Sequence, residues 1–482
     1  MKRIQLIGLY ATLLLSVTAC KKDLDINRDP YLPSTATPKL LLPSGIAYSA
    51  AKIGGDLQVL GAFWSQHYTQ NNTSNQYKNI DQYAVGVPDY NTIWTNLFMG
   101  MKDLSLTMEM AKESEAWDYY LSASVLQAFD FHILNDLYSQ VPYSEALKGD
   151  LNSTPKFEES KALNVKLLAQ LDEAISKGPA AKALSNVGAE DFIFQGDMDQ
   201  WIKFAKTLKL KILMRDFVAN QAAIQALLTQ NDFLSNKDAK MTGFSDVENK
   251  SNPLYEYDRR KLNTFFNIKA SNTLLTFLKV NNDTRIPNFF ETNVKDLYVG
   301  IDQGNFTLTG PLANATSRAT LAATDPVYFA SAAESKFLQA EAYARLGNTN
   351  SAKTNYDAGV TLAFERWGKT AEPFIAIGGP YAFQNGSLDA MIKSIITQKW
   401  VAATRTQAWD SFFDQNRTGY PKISAVTADN SAYVPGEYTV SVNSGLIAGE
   451  IPRRLLFPKI SADNNPNTPK PVSINTKMWW HK

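Results

Sequence analysis

A single cysteine, Cys20, stands in a chain of 482 residues. No disulfide can close within one copy of such a chain, and no cysteine-based zinc cluster can be built. Whatever it folds into is therefore held by buried apolar surface, and 44% of its residues are apolar, enough for a large core. The length corresponds to about three domain-sized units as a soft prior. Lysine and arginine total 48 against 47 acids, a formal net charge of +1, which offers no field for a polyanion and argues against nucleic acid as a partner. After the first 20 residues no segment approaches 18 unbroken apolar residues, so the body carries no expected membrane span.

The cysteine's position is as informative as its solitude. Lys2 and Arg3 precede an apolar run from Ile4 to Leu15, about a dozen residues and too short for a spanning helix, with the charge layout of a secretory signal. Val17-Thr18-Ala19-Cys20 places small residues at the cut site and resembles the lipobox of bacterial lipoproteins. That resemblance implies that residues 1–19 are removed and that Cys20 is lipidated. Two or three acyl chains hold a protein on a bilayer because each buried methylene contributes about 0.8 kcal/mol. An ordinary signal peptide followed by a chance cysteine is the alternative. Lys21 to Thr37, "KKDLDINRDPYLPSTAT", is polar and non-periodic, so residues 20–37 read as a lipidated flexible tether and residues 38–482 as one folded domain. Asp23 and Asp25 resemble an outer-surface sorting signal, or act as solubilising charge.

The body reads as all-α, mainly helical. Leu126, Phe129, Ile133 and Leu137 recur at helical spacing within 119–137, and Leu163, Leu167, Leu171 and Ile175 recur every four residues. Asp199 is expected to cap a helix whose stripe is Trp201, Phe204, Leu208 and Ile212. Residues 387–414 form another long amphipathic run, and Trp117, Trp201, Trp400 and Trp409 fall on core stripes. Strand signals are few and short, "EYTVSV" at 437–442 among them. Long loops are expected at 70–88, 300–326 and 373–385. Tyr343, Gly347, Ala352 and Tyr356 fall at tetratricopeptide spacing, with small residues where two helices approach and a glycine at the turn.

Searches for catalytic chemistry return little. The three histidines are His67, His132 and His481, and no HExxH, GxSxG or strand-borne GxGxxG occurs. "WGKT" at 367–370 copies the end of a phosphate loop, but Ala363 stands where the leading glycine belongs and the preceding residues look helical. A pair of carboxylates for glycoside hydrolysis is defined by spatial separation and is not legible in sequence. The expectation is a protein with no catalytic residues, no metal and no cofactor.

Five segments in order carry a resemblance: "DFHILNDLYSQVPYSEAL" (130–147), "DFIFQGDMDQWIKFAKTLKLKILMR" (191–215), "ESKFLQAEAYARLG" (334–347), "QKWVAATRTQAWDSFFDQNRTGYP" (398–421) and "IPRRLLFP" (451–458). Together they resemble the SusD/RagB-like lipoproteins, nearest to the SusD-like 2 branch. Ser139, Lys206-Thr207 and Ser461 depart from the usual family residues. The resemblance implies tetratricopeptide-like helix pairs scaffolding an irregular, loop-rich half. It also implies a site on the outer surface of the outer membrane, a SusC-like TonB-dependent transporter as partner, and capture of oligosaccharides, or in some branches peptides, without cleavage.

Sugar rings stack their C–H faces on aromatic rings while their hydroxyls need amide and carboxylate partners, so a glycan site mixes the two. The stretch 63–83 has that composition, with Trp64, Tyr68, Tyr77 and Tyr83 among Asn71, Asn72, Gln76 and Asp81. Family ligand contacts often come from the loop after the first long helix, which this stretch should occupy. The candidate ligand-binding residues are Trp64, Tyr68, Asn72, Tyr77, Asp81 and Tyr83, with Tyr381 on the glycine-rich loop 378–386 as a second contributor. Core packing of these aromatics is the competing reading. A lipid-anchored scaffold with no small ligand and a lipid-anchored hydrolase are the competing functions.

Overall fold

Helices dominate because most apolar residues recur with period 3.6. The computed structural model describes residues 36–261, 266–307, 315–447 and 449–482; Cys20, the signal segment and nearly all of the expected tether lie outside them. Pro38–Lys482 is one compact unit. Its principal helices are α1 (Pro38–Ile53), α2 (Asp56–Trp64), α3 (Asn91–Glu113), α4 (Trp117–Tyr138), α5 (Ser160–Ser176), α6 (Met198–Leu213), α7 (Phe217–Gln230), α8 (Ala332–Arg345), α9 (Thr349–Glu365), α10 (Leu388–Ala402) and α11 (Ala408–Thr418). Consecutive helices pack as pairs, α3 with α4, α5 with α6, α8 with α9 and α10 with α11. In the α8–α9 pair Gly347 takes φ +78° at the turn and the Asn348 side chain accepts from the Ser351 amide. Tyr356 and Ala352 are buried on the facing helix.

Helix α4 is buried from Asp118 to Tyr138, and a helix enclosed on all sides must place each polar side chain against a partner. Asp118 accepts from the amides of Asn186 (2.8 Å) and Val187 (3.1 Å), and Asp130 accepts from Ser49 Oγ at 2.5 Å. Asp136 accepts from Arg215 Nη2 at 2.6 Å. A second set of buried ions joins four helices. Lys211 of α6 donates to Glu334 of α8 (2.5 Å) and Asp410 of α11 (2.7 Å). Lys399 of α10 meets Asp414 (2.7 Å), and Arg417 holds Glu341 through both nitrogens at 2.5 and 2.6 Å. Arg417 thereby ties α11 to α8.

Three local expectations are corrected. The cap of α6 is Asp197, whose side chain accepts from the Gln200 amide, while Asp199 lies in the first turn. The run 387–414 breaks in two because Arg405 adopts φ 64°, and the break lets α11 cross α2 where Gly61 leaves no side chain. A Cβ on Gly61 would lie 2.3 Å from the Trp409 nitrogen. Residues 437–442 form only a bridge at Tyr438. Their backbone is used elsewhere, the Thr439 amide donating to Gln66 Oε1 (2.8 Å) and the Val442 amide to the Gln303 carbonyl (2.8 Å). Of the tryptophans assigned to the core, Trp201, Trp400 and Trp409 are buried and Trp117 is half-buried under the Lys177 ammonium.

The strands are short: β1 (Tyr68–Gln70), β2 (Gln140–Val141), β3 (Glu158–Glu159), β4 (Ala239–Met241), β5 (Ile268–Ala270) and β6 (Val327–Ala330). They pair antiparallel as β1–β5, β2–β3 and β4–β6. Strand β5 has Thr69 opposite Lys269 on one side and a bridge from Lys269 to Arg318 on the other, and a further bridge joins Ala319 to Phe290. This patch is the floor of the irregular half.

Candidate functional site

Seven residues were expected to meet a ligand, and the structure sorts them by depth. Trp64 is buried at the end of α2, its indole N–H donating to the Ile80 carbonyl (3.2 Å) and its ring 4.9 Å from that of Phe412. Tyr68 is fully buried edge-on to Phe290. Tyr83 is buried with Gln66 donating to its hydroxyl at 3.5 Å. Asp81 is also buried; it accepts from Thr69 Oγ1 (2.8 Å), the Gly304 amide (3.1 Å) and Gln303. Burial pushes its carboxyl up to about 7 against those donors. Tyr381 lies between Phe277 and Phe374, and its hydroxyl donates to Asp283 (2.7 Å). These five are enclosed by protein. Asn72 and Tyr77 are half-buried and reach solvent.

Tyr77 opens onto a cleft of about 290 Å³. Its ring stands edge-on to Phe63 at 5.3 Å, and its amide donates to Gln70 Oε1 (2.9 Å), which fixes the turn into the short helix Lys78–Asp81. Two further tyrosines line the same cleft, Tyr90 and Tyr257, with Asp56, Asp89, Gln76 and Asn79 as the polar wall. Tyr90 precedes α3 at φ 61°. Tyr257 sits on the π-helical turn Glu256–Lys261. Its ring lies against Gly55, where a Cβ would come within 2.6 Å of Tyr257 Cε2 and 2.7 Å of the Ala51 carbonyl. Only a glycine admits the ring at that distance.

The carboxylate of Asp56 is held in place: Lys52 Nζ (2.7 Å) and Thr92 Oγ1 (3.0 Å) donate to Oδ2, and the Tyr257 hydroxyl also bonds it. Asp89 Oδ2 accepts from the Gly86 amide at 2.8 Å. Burial first, and nearby carboxylates second, push the phenols of Tyr90 and Tyr257 upward, so all three tyrosines are neutral donors at physiological pH. The hydroxyls of Tyr77 and Tyr90 have no hydrogen-bond partner among the described residues. The cleft thus combines three aromatic rings with fixed carboxylates and amides, the mixture that a polyhydroxylated ring requires.

Sequence reading found Tyr77, Gln76 and their loop, and missed Tyr90, Tyr257, Asp56 and Asp89. Tyr90 had a local signal, an aromatic in the turn "PDYN" at 88–91. Tyr257 had none, because only the tertiary fold brings it to Gly55.

Two larger concavities flank other faces. One of about 580 Å³ is lined by Tyr48, Trp94, Phe98, Met99, Leu147 and Pro155 among others, and is mostly apolar. The other, about 790 Å³, lies under the C-terminal tail, where Arg215 stacks on Trp480 at 4.8 Å and Lys161 on Trp479 at 5.3 Å. The second also sets rings, among them Tyr420 and Trp480, near held carboxylates, Asp216 and Asp389; the tyrosine cleft differs in lying on the loop at 70–83 whose composition suits a glycan. The histidines offer no base: burial lowers His67 and His481 to about 3 and His132 well below its usual value. Among the described residues no group of three or more histidines or carboxylates could hold a metal, and no helix is long and apolar enough to cross a membrane.

The sequence matches the family model SusD-like_2, described as "starch-binding associating with outer membrane", over residues 34–439. No curated protein matches. Among solved structures, a SusD homologue from Bacteroides uniformis superposes with a TM-score of 0.74 at 21% identity, covering 92% of this chain and 99% of that one. A chitin-binding SusD homologue from Flavobacterium johnsoniae gives 0.72 at 19% identity over 91% and 98%. A homologue from Bacteroides thetaiotaomicron gives 0.73 at 18% over 93% and 99%. The helix pairs, the irregular half and the family match agree: this chain belongs to the SusD-like_2 family.

Proposed function

We propose that this protein is a lipid-anchored receptor on the outer face of the outer membrane that captures oligosaccharides and passes them, uncleaved, to a SusC-like TonB-dependent transporter. The observation that carries the capture step is the cleft in which Tyr77, Tyr90 and Tyr257 face Asp56, Gln76, Asn79 and Asp89. Family membership supports a glycan ligand and association with the outer membrane, and a relative of the same fold binds chitin. The Cys20 lipobox supports the anchor. Of the residues first expected at the site, Tyr77 and Asn72 are kept as ligand contacts. Trp64, Tyr68, Asp81, Tyr83 and Tyr381 are buried and are not kept. Binding without cleavage accords with carboxylates already engaged as acceptors for Lys52, Thr92, Tyr257 and the Gly86 amide.

The test is a titration of the full mature chain, held in detergent, against starch, chitin and other neutral oligosaccharides and a set of peptides, repeated with Tyr77→Ala and Tyr90→Ala. Saturable glycan binding, weakened about tenfold or more by either change, supports the reading, since a lost ring contact and its hydroxyl are worth about 1.4 kcal/mol or more. Saturable binding of peptides alone assigns the chain to a peptide-capturing branch. Co-purification of a transporter barrel with the tagged lipoprotein tests the partner.

A further inference from the structure

The sheet patch beside the cleft contains a largely covered cation that no carboxylate among the described residues pairs with. Lys269, on the central strand β5, is 8% exposed, and its ammonium has no hydrogen bond or ion pair among the described residues. A lysine whose side chain is this largely covered carries a desolvation cost, and fold stability alone gives no reason to bear it. Its neighbours add to the cost. Lys269 stands opposite Arg318 across an antiparallel bridge, where paired side chains share a face with Cβ atoms about 5 Å apart and like charges repel. Arg259 is the third cation of the group: its Nη2 donates to the Ala319 carbonyl at 2.7 Å.

Two carboxylates answer these three cations, and both are committed to the arginines. Glu291 accepts from Arg318 Nε and Nη2 at 2.6 Å each and lies 3.7 Å from Arg259 Nη2. Asp258 pairs with Arg259 and accepts the Ile268 amide at 2.8 Å. Among the described residues one positive charge of the group is left over. Burial first, then Arg318 and Arg259, lower the Lys269 ammonium to about 8, which still leaves it mostly charged at neutral pH.

An aromatic ring completes the group. Phe266 is 38% exposed, and the guanidiniums of Arg318 and Arg259 lie 4.0 and 4.6 Å from its centroid. Asn267, the next residue, donates to Gln76 Oε1 at 3.1 Å, and Gln76 is on the wall of the tyrosine cleft. A hydrogen bond from buried Asn267 thus ties the patch to the cleft wall.

We infer that Lys269 and Arg318, beside the Phe266 ring, form a subsite for the carboxylate of an acidic sugar, so that the glycan captured is one bearing uronic acid residues. A single unbalanced charge matches a carboxylate monoanion, and a flat ring beside it matches a sugar face. This rests on the glycan reading above. The test titrates the full mature chain with two acidic probes, trigalacturonate and a glucuronate-bearing trisaccharide, and with matched neutral trisaccharides. At least one acidic probe binds about tenfold or more tightly than its neutral counterpart, as one charge-assisted hydrogen bond allows. Lys269→Met brings that ratio close to one, whereas Lys269→Arg keeps it. Lys269→Met does not lower the melting temperature, because it removes an unpaired charge.

Failure to bind either acidic probe, or a preference that survives Lys269→Met, overturns the subsite. Neutral binding that is lost in Tyr77→Ala, with no acidic preference, leaves the glycan reading standing and this one refuted. A Lys269-dependent preference indifferent to Tyr77→Ala supports the subsite and removes the cleft.

Discussion

The ionic seam between α6, α8, α10 and α11 and the tyrosine cleft beside α2 are both polar, and they are finished in opposite ways. In the seam each charge has a counter-charge: Lys211 lies between Glu334 and Asp410, Lys399 meets Asp414, and Arg417 clamps Glu341. All of these groups are withdrawn from water. In the cleft the carboxylates are fixed by protein donors while the hydroxyls of Tyr77 and Tyr90 have no hydrogen-bond partner among the described residues. A seam whose donors and acceptors are spent on one another can hold helices and has little to offer a ligand. A cleft with fixed acceptors and free donors costs stability, and that cost makes sense if something else completes it.

The contrast is broken most violently at Arg417. Arg417→Met strips Glu341 of its bidentate partner and leaves it Arg345 alone, at 2.8 Å; removing one partner of a buried pair destabilises proteins by about 3–5 kcal/mol. Urea denaturation followed by circular dichroism should register a loss of that size. A loss below about 1 kcal/mol would mean that the seam is not what holds α8 to α11.

A smaller effect, and one that separates the seam from other carboxylates, comes with pH. Burial alone would raise the Glu341 carboxyl, but the Arg417 and Arg345 guanidiniums outweigh it and hold it at about 2, against 4.5 in the unfolded chain. A depressed folded value means that the unfolded state binds the extra proton first. The stabilisation is therefore present above about pH 4.5 and disappears as pH falls toward 2, about 3 kcal/mol in all. Glu341→Gln should be less stable at neutral pH yet show a flatter decline over that acid window. Asp81 works in the other sense. Its carboxyl is raised by burial to about 7, so its contribution is present below about pH 4 and is lost as pH rises through 7.

The helical scaffold was legible because helix formation is a local matter. The period of Leu163, Leu167 and Leu171, and the small residues at Gly347 and Ala352, are visible without knowing what they pack against. Boundaries were less so: Arg405 ends α10 in a left-handed conformation that no residue type announces. The site was half legible. The loop at 70–83 has the composition of a glycan site, but composition cannot say which ring faces inward. Trp64, Tyr68 and Tyr83 turned toward the core, and Tyr77 toward solvent. Tyr90 and Tyr257 join it only through folding. A long-range meeting of this kind leaves no spacing to read.

That meeting can be tested without touching any group in the cleft. Gly55→Ala would place a Cβ 2.6 Å from Tyr257 Cε2 and 2.7 Å from the Ala51 carbonyl. The backbone cannot yield there as easily as the ring, so Tyr257 shifts. Overpacking of this kind costs about 1–3 kcal/mol, and glycan affinity should fall along with stability. Unchanged affinity at full loss of stability would remove Tyr257 from the site while leaving Tyr77 and Tyr90 in it.

The smallest expected effect calibrates the rest. Lys112 and Glu173 form an ion pair at 2.9 Å between α3 and α5, but their side chains are 57% and 45% exposed. Water screens such a pair, and two long side chains lose freedom in making it. Lys112→Ala should therefore change stability by no more than about 0.5 kcal/mol and leave glycan affinity untouched. The same kind of contact, lysine to carboxylate at nearly the same distance, occurs at Lys399 and Asp414 with both groups buried. Lys399→Ala should cost several times more, about 3 kcal/mol or above, because the carboxylate it abandons cannot reach water. If the two variants lost equal stability, burial would not be the property that sets the seam apart, and the division between a finished scaffold and an unfinished cleft would lose its physical basis.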